Sequence, residues 1–306
     1  MRLSYRTVQF TRDDQPVVVA GLDAYRLLDH FIHGRNIEPF LDQFTGAVAA
    51  ARVSAPWLLP VLRVFTMAYQ DPEGHGIMTL RPSDYSYDSV RALADFAYDR
   101  WGFTILWNVL ADNEYLGLSD VACHQHAQHM AAALSGVRAD FSLYALVNEA
   151  DHLGTRIDPG RYPEPPAVLS SRGSMSSGVH PYRPGWKFNL LHAERGGVRG
   201  SLSAGTAAYA VQGYPGNPGD PGDREHPTLV EETEGAADQP KPGSRRSNPD
   251  YFYRTGFLSA AFGAGGFFHS DCGIQAIPFT AQQQACAEAY FVGMSKADPA
   301  QIYRGE

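Results

Sequence analysis

The sequence is poor in cysteine, has no long apolar run and has no concentrated positive charge. Its 306 residues include three cysteines, Cys123, Cys272 and Cys286, without CxxC spacing. Neither a disulfide framework nor a cysteine zinc site is suggested, and the three read as structural thiols. No stretch of about 18 uninterrupted apolar residues is available to cross a bilayer, and the first seven residues lack the apolar core of a secretory signal. The chain is expected not to insert in a membrane and to act in the cytoplasm or carried in a particle. Acidic side chains number 33 against 25 basic ones, a formal charge of −8. With no basic run, the footprint of a nucleic-acid binder is missing. No Gly-rich phosphate loop and no Gly-x-Ser-x-Gly elbow stands between a strand and a helix, and no cofactor is predicted.

What the sequence does contain is enough apolar residue for a large core, 44% against 19% charged. It also contains a repeated β-then-α pattern. Thr7 to Phe10, a polar turn and Val17 to Gly21 read as a hairpin feeding a buried strand. Helical spacing of Ile37, Phe40, Leu41, Phe44 and Val48 precedes an apolar strand from Leu59 to Phe65. Helices follow over Tyr87 to Trp101 and Ser119 to Leu134, the second with Ser119 as its cap, and strands over Phe103 to Val109 and Phe141 to Val147. After a Pro-, Ser- and Gly-rich stretch from Asp158 to Gly185, with a short strand at Ala167 to Ser170, come strand segments at Trp186 to His192 and Pro227 to Glu232. A helix near Ser201 to Val211 and a Pro/Gly loop from Gly213 to Asp223 lie between them. A helix over Asp250 to Phe262, a strand over Gly265 to His269 and a helix over Thr280 to Met294 close the chain. Eight strands, beginning near residues 17, 59, 103, 141, 167, 186, 228 and 265, predict an α/β fold. Residues 1–306 are read as one (β/α)₈ barrel domain with an N-terminal hairpin, since such barrels fill about 250 residues as a single unit.

Functional groups of such a barrel sit at the carboxyl ends of its strands. Those ends carry Asp23, Arg63, Trp107 with Asn108, Asn148 with Glu149, His192, Glu231 with Glu232, and His269. Two carboxylates delivered by different strands to one mouth are the minimum for glycoside cleavage: one protonates the leaving oxygen and the other attacks the anomeric carbon. Strands four and seven supply such a pair. Successive residues of a strand point to opposite faces, so only one of Glu231 and Glu232 can look inward.

These residues resemble the clan A glycoside hydrolases, in particular the cellulase-like and mannanase-like family with an Asn-Glu pair ending strand four. The likeness runs from Asp14 to Gly21 (polar turn, Pro, apolar strand, Gly), through Leu62 to Phe65 with its strand-two arginine, to Val147, Asn148 and Glu149. It continues at His192 and over Pro227 to Thr233. The resemblance implies a retaining hydrolase acting on a polysaccharide or glycoconjugate by double displacement. It makes Glu149 the acid/base and Glu232 the nucleophile, with Glu234 a remote alternative. Asn148 would bond the sugar 2-hydroxyl, Arg63 would keep the nucleophile ionised and His192 would orient the site. The family's strand-eight Trp is absent. Phe268, His269, Trp107, Trp186 or Tyr214 would then have to supply the sugar platform.

Other readings stay open. A catalytically silent barrel could bind carbohydrate, or serve as a structural part of a larger assembly such as a cell-surface-recognising particle. A metal-dependent barrel hydrolase would want His-x-His at the end of strand one, where Gly21, Leu22 and Asp23 stand. His124, His126 and His129 fall on different helical faces and read as a solvated surface rather than a metal shell. No metal is expected.

Overall fold

The computed structural model describes residues 2–6, 9–69, 79–150, 154–155, 157–165, 167–175, 178–179, 186–192, 226–232, 236–237, 245–262 and 264–297. The expected helix near Ser201 to Val211, the loop from Gly213 to Asp223, Tyr214 and Glu234 lie outside them.

Strands β1 (Leu3–Arg6), β2 (Gln9–Arg12) and β3 (Gln15–Asp23) begin the chain as an antiparallel meander. The turn between β2 and β3 consists of Asp13 and Asp14, both with positive φ (51° and 63°). A two-residue hairpin of primed type requires such angles, and aspartate tolerates them better than most residues. From β3 onward the sheet is parallel: β4 (Leu58–Phe65), β5 (Thr104–Leu110), β6 (Ser142–Val147) and β7 (Leu169–Ser171) follow in chain order. A small hairpin, β8 (Ser174–Met175) and β9 (Gly178–Val179), forms a separate two-stranded sheet. The wall resumes with β10 (Asn189–His192), β11 (Thr228–Glu232) and β12 (Gly265–Phe268), and β12 pairs back onto β3. The predicted eight-stranded α/β barrel with its N-terminal hairpin is therefore present. It is nearly closed. Among the described residues no ladder joins β7 to β10, and the N–H groups of Lys187 and Phe188 donate to Ser170 O at 2.8 and 3.3 Å.

Helices α1 (Leu27–Ile32), α2 (Glu38–Ser54), α3 (Tyr87–Trp101) and α4 (Asp120–Ala133) surround one side; α5 (Pro249–Phe262), α6 (Asp271–Gln275) and α7 (Ala281–Met294) follow later in the chain. Their ends are set locally. Pro39 occupies the first turn of α2, Gly102 ends α3 with φ 71°, and Ser119 accepts from Ala122 N–H to cap α4, as the sequence predicts. The sequence pattern did not reveal the short helices α1 and α6.

Period-two alternation sorts the strand residues into two cores. Val17, Val19, Leu59, Val61, Leu106, Leu143, Leu190, Leu229 and Phe267 fill the barrel, and Leu3 and Phe10 of the hairpin close its floor. Their neighbours Val18, Ala20, Leu22, Leu58, Leu62, Ile105 and Trp107 pack outward under the helices. Gly21 lies directly beside Phe267 on the adjacent strand. A β-carbon at Gly21 would sit 2.2 Å from the Phe267 ring. Gly21→Ala is therefore expected to cost about 1–3 kcal/mol in urea unfolding, the range for overpacking a dense core. The double variant Gly21→Ala/Phe267→Leu should recover part of that loss.

Candidate active site

The inward alternation of β3, β4 and β5 ends in polar groups at the carboxyl side. Arg63 is their centre. It is fully buried, and its guanidinium lies 5.0 Å from the centre of the Tyr25 ring and 5.3 Å from that of Phe65. Its Nη1 donates to Asp23 Oδ1 at 3.2 Å and to the Tyr25 hydroxyl at 2.7 Å; Nη2 donates to Asn148 Oδ1 at 2.6 Å. With the Asn108 amide oxygen turned toward the guanidinium, that oxygen accepts from Nε at 3.0 Å and Nη2 at 2.9 Å. Each of the five N–H groups thus has an acceptor, the condition under which a buried arginine is tolerated.

Asp23 is equally buried and serves a second partner. Its Oδ2 lies 2.7 Å from His269 Nδ1, and the Tyr25 hydroxyl approaches the same nitrogen at 3.5 Å. A carboxylate paired with a guanidinium only accepts, so Nδ1 is assigned the imidazole hydrogen. The strand ends β12, β3, β4, β5 and β6 are thereby joined by one continuous polar chain: His269, Asp23, Arg63, Asn108 and Asn148.

Asn148 follows β6 directly. Its N–H donates to Leu110 O at 2.9 Å, and its side-chain oxygen faces Arg63, which turns the amide NH₂ away from the guanidinium. Glu149, half-buried, then leaves the strand with φ 48°. A left-handed residue other than glycine costs on the order of 1–2 kcal/mol, so neighbouring contacts must hold it. Two come from one residue: Ser174 Oγ accepts from Glu149 N–H at 3.2 Å, and Ser174 O accepts from Ala150 N–H at 2.9 Å.

Where the sixth and seventh barrel strands, β10 and β11, pair, the register shifts between Leu191 and His192. Leu191 pairs with Val230, but His192 pairs with Glu232. Glu231 is thus the extra residue of a bulge, and Glu232 rather than Glu231 stands level with His192. The side chains of His192, Glu231 and Glu232 lie outside the described residues.

Of the predicted site residues, Arg63, Asn108, Asn148 and His269 are brought together, with Glu149 next in the chain. Trp107 goes elsewhere. It is fully buried in the outer core with Ile105 and Val109, because Asn108 takes the inward face and strand neighbours point opposite ways. Trp186 and Phe268 also belong to that outer core. The aromatic groups at the mouth are different ones. Tyr25 stacks on Phe65 with centroids 4.2 Å apart. Tyr69 meets Tyr115 at 5.4 Å on the loops after β4 and β5, and Tyr115 is 49% exposed. Sequence reasoning passed over Tyr25, Tyr69 and Tyr115 and gave Asp23 no role. A tyrosine two residues beyond Asp23 was the available signal.

The histidine run on α4 is not uniformly solvated. His126 is buried: its Nε2 lies 2.9 Å from Thr66 Oγ1 and its Nδ1 2.7 Å from the Tyr87 hydroxyl. Thr66 also reaches Val109 O at 2.8 Å, so this relay ties α3 and α4 to the end of β4. Burial lowers the His126 pKa from 6.5 to about 3. The unfolded chain therefore binds a proton below pH 6.5 that the folded chain refuses until about pH 3. Stability is fully present above 6.5 and falls across that window as pH drops, by at most ~1.4 kcal/mol per pH unit from this group. Urea midpoints at pH 7 and 4.5 should differ less for His126→Gln than for the unmutated protein. Among the described residues no group of three or more His, Cys, Asp or Glu could hold a metal ion, and no helix is long and apolar enough to cross a membrane.

No family model and no curated protein matches the sequence. Solved structures do match the fold. A β-mannanase from the blue mussel Mytilus edulis covers 100% of this chain with 99% of its own, at a TM-score of 0.53 and 12% identity. A β-1,4-D-mannanase from Cryptopygus antarcticus matches over 94% of each chain, at a TM-score of 0.51 and 13% identity. The chain has the fold of a β-mannanase. At such identity the likeness concerns architecture alone, and the mannanase-fold barrel must be read for function from its own side chains.

Proposed function

We propose that this mannanase-fold barrel is a retaining glycoside hydrolase acting on a β-1,4-linked polysaccharide, with mannan the first substrate to test. Glu149 donates a proton to the glycosidic oxygen as the bond to the anomeric carbon breaks. Glu232 attacks that carbon and forms a glycosyl ester. Water, deprotonated by Glu149, then displaces Glu232 and restores both groups. Asn148 offers its amide NH₂ to a sugar hydroxyl, His192 orients the strand-seven end and Arg63 sets the charge of the floor. Trp107, packed under the helices, leaves the sugar platform to Tyr69 and Tyr115. The observation that carries the reading is the 2.6 Å bond from Arg63 to Asn148, which anchors the residue immediately before Glu149 in a polar mouth. The register shift beside His192 favours Glu232 over Glu231 as its partner.

The test is to incubate the protein with β-1,4-mannan and follow the anomeric protons of the products by NMR. New ends should appear first in the β configuration. Products first appearing as α would overturn the retaining mechanism, and no new ends from mannan or from other β-1,4-glycans would overturn hydrolysis. One observation favours a rival: Asp23 already balances the charge of Arg63. A barrel that binds glycans without cleaving them would show saturable binding to mannan with no release of reducing ends.

A further inference from the structure

The turn after β7 offers an inference that rests on the acid/base reading of Glu149. Gly173, with φ 100°, crosses the end of β6 so closely that a β-carbon there would lie 1.7 Å from Val147 O. Its N–H donates to Ser171 Oγ at 3.1 Å, which folds the chain back on itself. The next residue, Ser174, is fully buried, and both its oxygens face one short stretch of chain: Oγ accepts from Glu149 N–H and the carbonyl from Ala150 N–H. Below this stretch Asn148 is fixed twice, by Leu110 O and by Arg63. Glu149 is therefore the one left-handed residue in a segment whose neighbours on either side are bonded to different strands.

We propose that Ser174 and Gly173 form a clamp that positions Glu149 for proton donation. Gly173 admits the turn because no other residue fits against Val147. Ser174 holds the backbone of Glu149 in the left-handed conformation from which its carboxyl group reaches the leaving oxygen. Ser174 touches no reacting atom and acts only through Glu149, so removing its hydroxyl should impair proton donation while leaving substrate binding intact.

Leaving-group chemistry separates this role from a general loss of structure. A dinitrophenolate departs without a proton, whereas a sugar hydroxyl needs one. Ser174→Ala is expected to lower kcat on mannan oligosaccharides by about 10- to 100-fold, the scale of a misplaced catalytic group. KM should be unchanged, and the dinitrophenyl β-mannoside should lose no more than about threefold, since its departure needs no acid. Ser174→Thr, which keeps a hydroxyl, should retain most of the oligosaccharide activity. Equal losses on both substrates would overturn the proposal. Amide hydrogen exchange reads the clamp without any activity: the Glu149 N–H should exchange faster in Ser174→Ala than in the unmutated protein, with Asn148 unaffected. Unchanged exchange at Glu149 would overturn the clamp, and a protein that cleaves no glycoside yet shows the faster exchange would overturn the acid/base reading while sparing the clamp.

Discussion

Glu149→Gln is expected to lower kcat on β-1,4-mannan by about 10³-fold, within the range that general acid–base catalysis contributes. Glu232→Gln should remove at least as much, because without the nucleophile no glycosyl ester forms. The two losses are distinguishable. With Glu149→Gln a dinitrophenyl glycoside still reacts to the ester, which accumulates and is visible by mass spectrometry; added azide then attacks it and yields a glycosyl azide of retained configuration. With Glu232→Gln no ester forms on any substrate. Glu231→Gln is the internal control. If it removes turnover while Glu232→Gln does not, the nucleophile is Glu231 and the register shift beside His192 has been misjudged as a guide.

The second large effect falls on stability. Arg63→Met removes the guanidinium that faces the fully buried Asp23 carboxylate, and leaves Asn108, Asn148 and the Tyr25 hydroxyl without their shared donor. Deleting one partner of a buried pair costs about 3–5 kcal/mol, because the other charge stays desolvated. The loss should be read from urea unfolding. Asp23→Asn placed in the Arg63→Met background should return part of it, and the double-mutant cycle measures the coupling. A loss below about 1 kcal/mol for Arg63→Met would mean that water reaches Asp23 and that the floor of the mouth is not dry.

The barrel was legible because its signals are local. Eight apolar runs, the first four separated by segments of helical spacing, begin near residues 17, 59, 103, 141, 167, 186, 228 and 265; the strands begin at 15, 58, 104, 142, 169, 189, 228 and 265. The faces were less legible. A strand buried on both sides reads as one apolar run, and Thr104–Leu110 carries no alternation from which an inward side could be chosen. Trp107 and Asn108 were both placed in the mouth although adjacent strand residues cannot share a face; the polar one took it. Asp23 and Arg63 are 40 residues apart and become partners only when β3 and β4 pair in register, and His269, 246 residues from Asp23, joins them only when the barrel closes. His126 looked solvated because α4 mixes polar and apolar residues around its circumference, and its partner Thr66 lies 60 residues away.

The incomplete joint between β7 and β10 is one of two thin places in the wall. Here one carbonyl, that of Ser170, receives two N–H groups, and β11 meets β12 through the single pair Val230 and Gly266, whereas the other neighbouring barrel strands pair over three or more residues. Thermal opening of the ring can therefore begin at this seam without disturbing the other joints, and the amides of Lys187 and Phe188 should exchange with solvent sooner than those of β4 and β5. Since β7 also leads into the Gly173–Ser174 turn, breathing at the seam would be passed to the backbone of Glu149. A thin joint in the ring thus lies one short turn away from the group proposed to donate the proton.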